Sequence, residues 1–259
     1  MPIDFMSDNF PFAHLPADNT IHVWQIELDK LLSLGVNLDR FLSIEEHNRA
    51  ERFVFAKDAS HFRLCRGTLR LGLAWYLGRS PREITLRLRW RDKPCLAEDS
   101  PLYFNVTHTK RLALIAFTTV GEVGIDVEEQ KREVEALEIA SSHFTAKETA
   151  IIAAATTPEE QTLSFFRIWT RKEAVLKAAG CGIRQGLDTI DVSQQHTNLV
   201  ELLGSPDEIA GTTWLVRDLV VPEMEETGAF ASAIAAPPGD WSIQRSIIRD
   251  EDSVDRLIG

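Results

Sequence analysis

The strictest alternation of apolar and polar positions lies at Ile84–Trp90, ITLRLRW, with one apolar and one basic face, the period-two signature of a half-buried strand. Thr20–Leu28 (TIHVWQIEL) alternates well enough for a first strand, and Tyr103–Thr119 gives two extended runs, YFNVTHT and LALIAFTT, around a turn at Lys110–Arg111. Val123–Gln130, VGIDVEEQ, is shaped for a buried strand but interrupted by Asp126, and Leu187–Val192 and Phe230–Ala236 supply two more candidates. Helical patterns occupy Leu42–Glu51, with Ser43 as N-cap and Glu45 and Glu46 in the first turn, and Asp58–Leu77, which Gly78 ends. Ser141–Ala155 reads as one helix, with Thr145 as N-cap and Glu148 in the capping-box position. Phe165–Gly180, FFRIWTRKEAVLKAAG, has good helix formers and no proline. Thr156–Glu160 reads as a loop and Asp250–Gly259 as a frayed tail.

These elements repeat at long range. EVGIDVE echoes HVWQIEL, and FRIWTRKEAVLKAAG echoes FRLCRGTLRLGLAWYLG, each opening on Phe-Arg and closing on glycine. The echo predicts two similar αβ lobes; the fold expected is α+β, each lobe a small, mainly antiparallel sheet packed with helices. The expected divisions are 1–119 for the first lobe, 120–245 for the second and 246–259 for a tail.

Chemistry concentrates in two of these elements. At period two, Asp126 and Glu128 project from one face of their strand while Val127 points away. Glu173 and Lys177, four apart, share a helical face. Taken singly, each has an ordinary explanation: a solvated Glu–Lys pair on a helix is worth a few tenths of a kcal/mol, and alternating acids on a strand are its wet face. Together they could meet in one cleft, since a carboxylate inside GIDV needs a partner. Three carboxylates and an ammonium suit a divalent cation bound to a pyrophosphate, the lysine facing the departing charge.

Composition narrows the setting. The 259 residues are 44% hydrophobic, enough for a substantial core. Cys65, Cys95 and Cys181 show no CxxC or ligand-like spacing and read as reduced thiols of a cytoplasmic protein. The start, MPIDFMSDNFPF, lacks a signal peptide's basic and apolar segments, and no run approaches a membrane span. Net charge is −11, unevenly spread: Arg49–Lys93 holds twelve Lys/Arg against four Asp/Glu, and Glu201–Gly259 four against twelve. The basic stretch could be a solvated face; a pocket for a compact polyanion, or steering of an acidic protein, fits an acidic chain better than nucleic acid does.

GIDVE at Gly124–Glu128, paired with FxxxWTxKEAxxKAxG from Phe165 to Gly180 and preceded by RDKPCL at Arg91–Leu96 and FNVTHT at Phe104–Thr109, resembles the 4′-phosphopantetheinyl transferases, specifically the longer, two-halved type of broad specificity. The resemblance spans roughly Arg49 to Asp191. It implies a pseudo-twofold build with the active site between lobes, and transfer of 4′-phosphopantetheine from coenzyme A to a serine of an apo acyl or peptidyl carrier protein. It implies Mg²⁺ (or Mn²⁺) held by Asp126, Glu128 and Glu173, with Glu173 the first choice of base, Glu128 the second, and Lys177 on the phosphates. It places His108, and the Thr107 hydroxyl before it, against the 3′-phosphate, and Arg91 and Lys93 on the nucleotide phosphates. Arg49 falls near another phosphate-contacting position, and Lys172 would assist substrate. Thr107 and Thr109 stand where the family more often has serine, and His61 where it more often has arginine, so His61 takes no role; Trp169 reads as packing behind the site.

Two other classes compete: a different Mg²⁺-dependent enzyme cleaving a nucleotide pyrophosphate, which needs no carrier, and a non-catalytic binding module built on the basic stretch, which has no use for Asp126 or Glu173. A monomer is expected, because two fused lobes already complete a cleft.

Overall fold

The computed structural model describes residues 15–88, 93–130, 134–180, 186–194, 197–201, 211–221 and 230–258. In chain order, β1 (Thr20–Glu27) is followed by α1 (Leu28–Ser33), α2 (Ile44–Ala50) and the long α3 (Ala56–Leu77). A short hairpin, β2 (Leu86–Leu88) and β3 (Pro94–Leu96), precedes β4 (Tyr103–His108) and β5 (Leu112–Thr118). The second half runs β6 (Gly124–Glu129), α4 (Ala136–His143), α5 (Ala146–Ala153), α6 (Pro158–Ala179), β7 (Thr197–Glu201), β8 (Thr213–Asp218) and β9 (Phe230–Ala236). It closes with β10 (Ser242–Ile248) and α7 (Glu251–Ile258).

Two four-stranded sheets result, ordered β10-β1-β5-β4 and β6-β9-β8-β7. In each, the lobe's first strand pairs antiparallel with its last hairpin (β5 and β4, or β9 and β8), and one long helix follows it. The two-lobed α+β architecture read from the echo is the one observed. Alternation along the strands explains the stacking. On β1 and β5, Trp24, Ile26, Ala113, Ile115 and Phe117 turn toward α3, joining Leu69, Leu73 and Tyr76 in one core. The opposite faces, Ile21, Val23, Leu112, Leu114 and Ala116, meet Ile125, Val127, Ile234 and Ala236 in a core shared by both sheets. The other face of the second sheet packs on Phe165, Phe166, Val175 and Leu176 of α6.

Helix ends follow their caps. Ser43 and Thr145 form full capping boxes with Glu46 and Glu148, and α3 and α6 each close on a left-handed glycine, Gly78 at φ 63° and Gly180 at φ 75°.

Several expectations need correction. Ser141–Ala155 is not one helix: α4 ends at His143, and Thr145, extended at ψ 156°, starts α5. Pro158 to Glu160 are the first turn of α6 rather than loop, because Thr157 caps it and proline at the first position loses no hydrogen bond. Leu187–Thr189 is a 3₁₀ turn, not a strand. The expected tail is α7, whose Val254 is buried and whose Leu257 packs on the first lobe's core. β10 lies beyond the first-lobe boundary, yet it pairs in parallel with β1, from Thr20↔Ser242 to Ile26↔Ile248. Residues 242–258 therefore join the sheet and core built around β1. Arg91, Cys181 and the start MPIDFMSDNFPF fall outside the described residues. Among the described residues no helix is long and apolar enough to cross a membrane.

Candidate active site

The centre of the site is the close approach of β6 to α6. A Cβ added at Gly124 would stand 2.0 Å from the Ala174 carbonyl oxygen and 2.4 Å from the Ala178 nitrogen, so only glycine lets the strand lie directly on the helix. Ile125 and Val127 fill the core between the sheets, which turns the alternate positions, Gly124, Asp126 and Glu128, toward α6. Glu173 and Lys177 stand one turn apart on the facing side of that helix.

Asp126 is 4% exposed. Its Oδ1 accepts hydrogen bonds from Lys177 Nζ at 2.5 Å and from Thr107 Oγ1 at 3.1 Å. Lys177 Nζ also donates to the Ile125 carbonyl at 3.2 Å. Asp126 Oδ2 and Glu173 Oε1 are both buried and have no hydrogen-bond partner among the described residues. Burial, the Asp126 charge and, less strongly, Glu128 push the Glu173 carboxyl up to about 7, against an opposing pull from Lys177. Leaving a buried oxygen unpaired costs about 1–3 kcal/mol. Two such oxygens on mutually repelling carboxylates form a donor set suited to a hard cation. Among the described residues no three His, Cys, Asp or Glu side chains already stand as a metal-holding cluster; the Lys177 ammonium supplies the neutralising charge.

Glu128 opens onto a cleft of about 770 Å³, lined also by Arg49, Phe53, Asp58, His61, Phe62, His108, Lys110 and Glu129. Arg49 and Arg66 both lie over the Phe62 ring, 5.3 and 5.6 Å from its centre. The cleft wall around His108 lowers its imidazole below the ordinary value; the Thr109 backbone opposes this, while Lys177, His61 and Arg66 add to it. His61 Nε2 sits 3.0 Å from Asp29 Oδ1, tied to α1.

Asp126, Glu173 and Lys177 are thus brought together, with Glu128, Arg49 and His108 on the same cleft. Other expected residues go elsewhere. Lys172 is fully buried, ion-paired to the equally buried Glu148 at 2.7 Å, and donates to the carbonyls of Leu187 (2.6 Å) and Ile190; it cannot touch substrate and instead anchors the segment after α6. Lys93 Nζ donates to Glu122 at 2.8 Å and to the Val123 and Ala178 carbonyls at 3.2 and 3.4 Å, beside a separate cavity of about 250 Å³. The Thr107 hydroxyl turns to Asp126 rather than outward with His108. The sequence reading missed Asn105, whose Oδ1 accepts from the Ile125 N–H at 2.9 Å. The available signal was a pair of polar side chains, Asn105 and Thr107, at period two in a buried strand. It also missed Phe62 and Arg66, which periodicity assigns only to a helix.

Comparison with known proteins decides the family. The chain is 34% identical over 224 residues, 85% of its length and 91% of the relative's, to the 4′-phosphopantetheinyl transferase HetI of Nostoc sp. (strain PCC 7120). The chain belongs to the 4′-phosphopantetheinyl transferase family. Residues 122–225 of this transferase match the family model described as the 4′-phosphopantetheinyl transferase superfamily, and residues 34–120 match 4′-phosphopantetheinyl transferase, N-terminal. It is also similar to the 4′-phosphopantetheinyl transferase Sfp of Bacillus subtilis (strain 168), 29% identical over 70% of this chain and 80% of that one. A shorter match joins it to AcpT of Escherichia coli (strain K12), 36% identical over 41% of this chain and 53% of that one. The first of these matches covers both Gly124–Glu128 and Phe165–Gly180 by its extent, so the two halves of the site lie within one family resemblance.

Proposed function

We propose that this transferase moves 4′-phosphopantetheine from coenzyme A to a serine of an apo acyl or peptidyl carrier protein, releasing 3′,5′-ADP. The observation that carries the reading is the pair of buried oxygens on Asp126 and Glu173, unpartnered among the described residues, beside Lys177 and near Glu128, which lines a cleft with Arg49 and His108. Asp126, Glu128 and Glu173 are the residues that would hold Mg²⁺, or Mn²⁺ in its place; the cation supplies charge neutralisation on the pyrophosphate when bound. Arg49 and His108 hold the nucleotide phosphates from the cleft wall, with Arg91 as a further contact and Lys93 at the margin. Lys172 is excluded from this set by its burial.

The serine oxygen attacks the phosphorus that carries pantetheine, the bond from that phosphorus to the bridging oxygen breaks, and 3′,5′-ADP leaves with that oxygen. The serine proton goes to a carboxylate. Glu173 is the first choice, because it faces Asp126 and Lys177 and has a buried oxygen with no partner among the described residues; Glu128 is the second choice. Lys177, fixed on Asp126, faces the charge that builds on the phosphates. With the cleft completed inside one chain, the enzyme works as a monomer in the cytoplasm, without nucleic acid or membrane.

The test is incubation with coenzyme A, Mg²⁺ and a panel of apo carriers, read by intact mass. A phosphopantetheine adduct on carrier serine is expected, lost in Asp126→Ala and Glu173→Ala variants that remain folded. Cleavage of coenzyme A without any adduct would favour the rival pyrophosphate-cleaving enzyme, and full transfer by Glu173→Ala would reject the site.

A further inference from the structure

Beside Asp126 the first lobe reaches into the second. β4 presents Asn105 and Thr107, 3% and 6% exposed, on the face opposite Phe104 and Val106. Asn105 Oδ1 accepts from the Ile125 N–H at 2.9 Å, fixing the backbone one residue before the acid. Thr107 Oγ1, two positions along the same face, donates to Asp126 Oδ1 at 3.1 Å. The second donor on that oxygen, Lys177 Nζ, comes from α6. An ammonium on a four-carbon stem leaves a carboxylate room to swing. A β-branched threonine on a strand is confined at χ1, so its hydroxyl is a fixed point. Held from two elements, the carboxylate cannot turn freely about its Cβ–Cγ bond, and Oδ2 remains buried with no donor among the described residues.

We propose that Thr107 is a positioning residue: its hydroxyl holds Asp126 Oδ1 so that Oδ2 is kept available to the divalent cation. This rests on the cation-binding reading of Asp126 and Glu173. It departs from the family resemblance, which sets this hydroxyl against a nucleotide phosphate, and it gives the first lobe a part in building the second lobe's cation site. Partners that orient a ligand in this way are worth 10- to 100-fold in metal affinity when removed.

The experiment measures Mn²⁺ binding to the whole protein by loss of the free-ion electron paramagnetic resonance signal, without coenzyme A, in wild type, Thr107→Val and Thr107→Ser. It is paired with steady-state kinetics on coenzyme A and on 3′-dephospho-coenzyme A. Thr107→Val should bind Mn²⁺ about 10- to 100-fold more weakly, with kcat reduced and KM for coenzyme A unchanged, and Thr107→Ser should restore both. Unchanged Mn²⁺ affinity in Thr107→Val, with KM raised for coenzyme A but not for the dephospho compound, would return the hydroxyl to the nucleotide phosphate and overturn the proposal. Thr107→Ser as weak as Thr107→Val would overturn it by showing that the methyl group, not the hydroxyl, matters. Wild type that takes up no Mn²⁺ at all would sink the cation reading on which the proposal stands, a result distinct from either.

Discussion

Glu173 gives a quantitative handle on the charge balance of the site. Its carboxyl ionises at about 7 instead of the ordinary 4.5, because burial and the Asp126 charge disfavour the anion. Each pH unit of such displacement is worth about 1.4 kcal/mol, so the ionised form is disfavoured in the folded, cation-free protein by about 3 kcal/mol at most. The sign follows from proton counts. Below 4.5 both folded and unfolded chains keep this proton, and stability is unaffected. Between 4.5 and 7 the unfolded chain releases it while the folded chain retains it, so this residue's contribution falls as pH rises; above 7 the loss is complete. Glu173→Gln cannot ionise. Urea unfolding of both proteins in EDTA should give equal stabilities near pH 4.5 and a variant more stable by up to about 3 kcal/mol at pH 8, since other titrating groups largely cancel in the difference. Adding Mg²⁺ at pH 8 should stabilise the wild type and close the gap. A difference that stays flat from pH 4.5 to 8 would show that Glu173 is not held in a desolvated, carboxylate-crowded position.

Further outcomes follow from contacts in the same region. Lys172→Met leaves Glu148 buried without its counter-charge and should cost about 3–5 kcal/mol in urea unfolding, while coenzyme A affinity of the folded variant, measured by calorimetry, stays at the wild-type value. Gly124→Ala drives a methyl group against the α6 backbone and should cost about 1–3 kcal/mol or more; transfer measured by carrier mass should fall further than stability does, because Glu173 and Lys177 move away from Asp126. A double-mutant cycle with Asp126→Asn and Lys177→Met should return a coupling of about 0.5–3 kcal/mol by thermal unfolding, and a value near zero would mean the 2.5 Å contact does not exist in solution.

Much of this was legible in the sequence. Asp126 stood out as an acid within an apolar strand, and Glu173 and Lys177 lay at helical spacing beside it; both patterns report which face a residue occupies, and faces are what the site uses. Ser43 and Thr145 were readable as caps because capping is local chemistry. The misses are non-local. Lys172 lies off the face that Glu173 shares with Lys177, which helical spacing shows, but that it meets Glu148 follows only from the placement of α5 against α6. Thr107 read as an outward neighbour of His108, because nothing in FNVTHT tells which face of β4 meets the other lobe. β10 carries too many polar positions to announce its partner, and its pairing with β1 is fixed by the closing of the first sheet rather than by its own pattern.

That last pairing sets an order of assembly. β1 needs Ser242–Ile248 beside it, some 220 residues later in the chain, and ribosomes add about 5–20 residues per second. On a growing polypeptide, the β1 edge therefore waits about ten to forty seconds for this partner, and β6 likewise waits for β9 until Phe230–Ala236 has been made, just ahead of β10. Both sheets are closed only by strands near the end of the chain, and synthesis speed or chaperone supply should govern how much soluble enzyme a cell recovers.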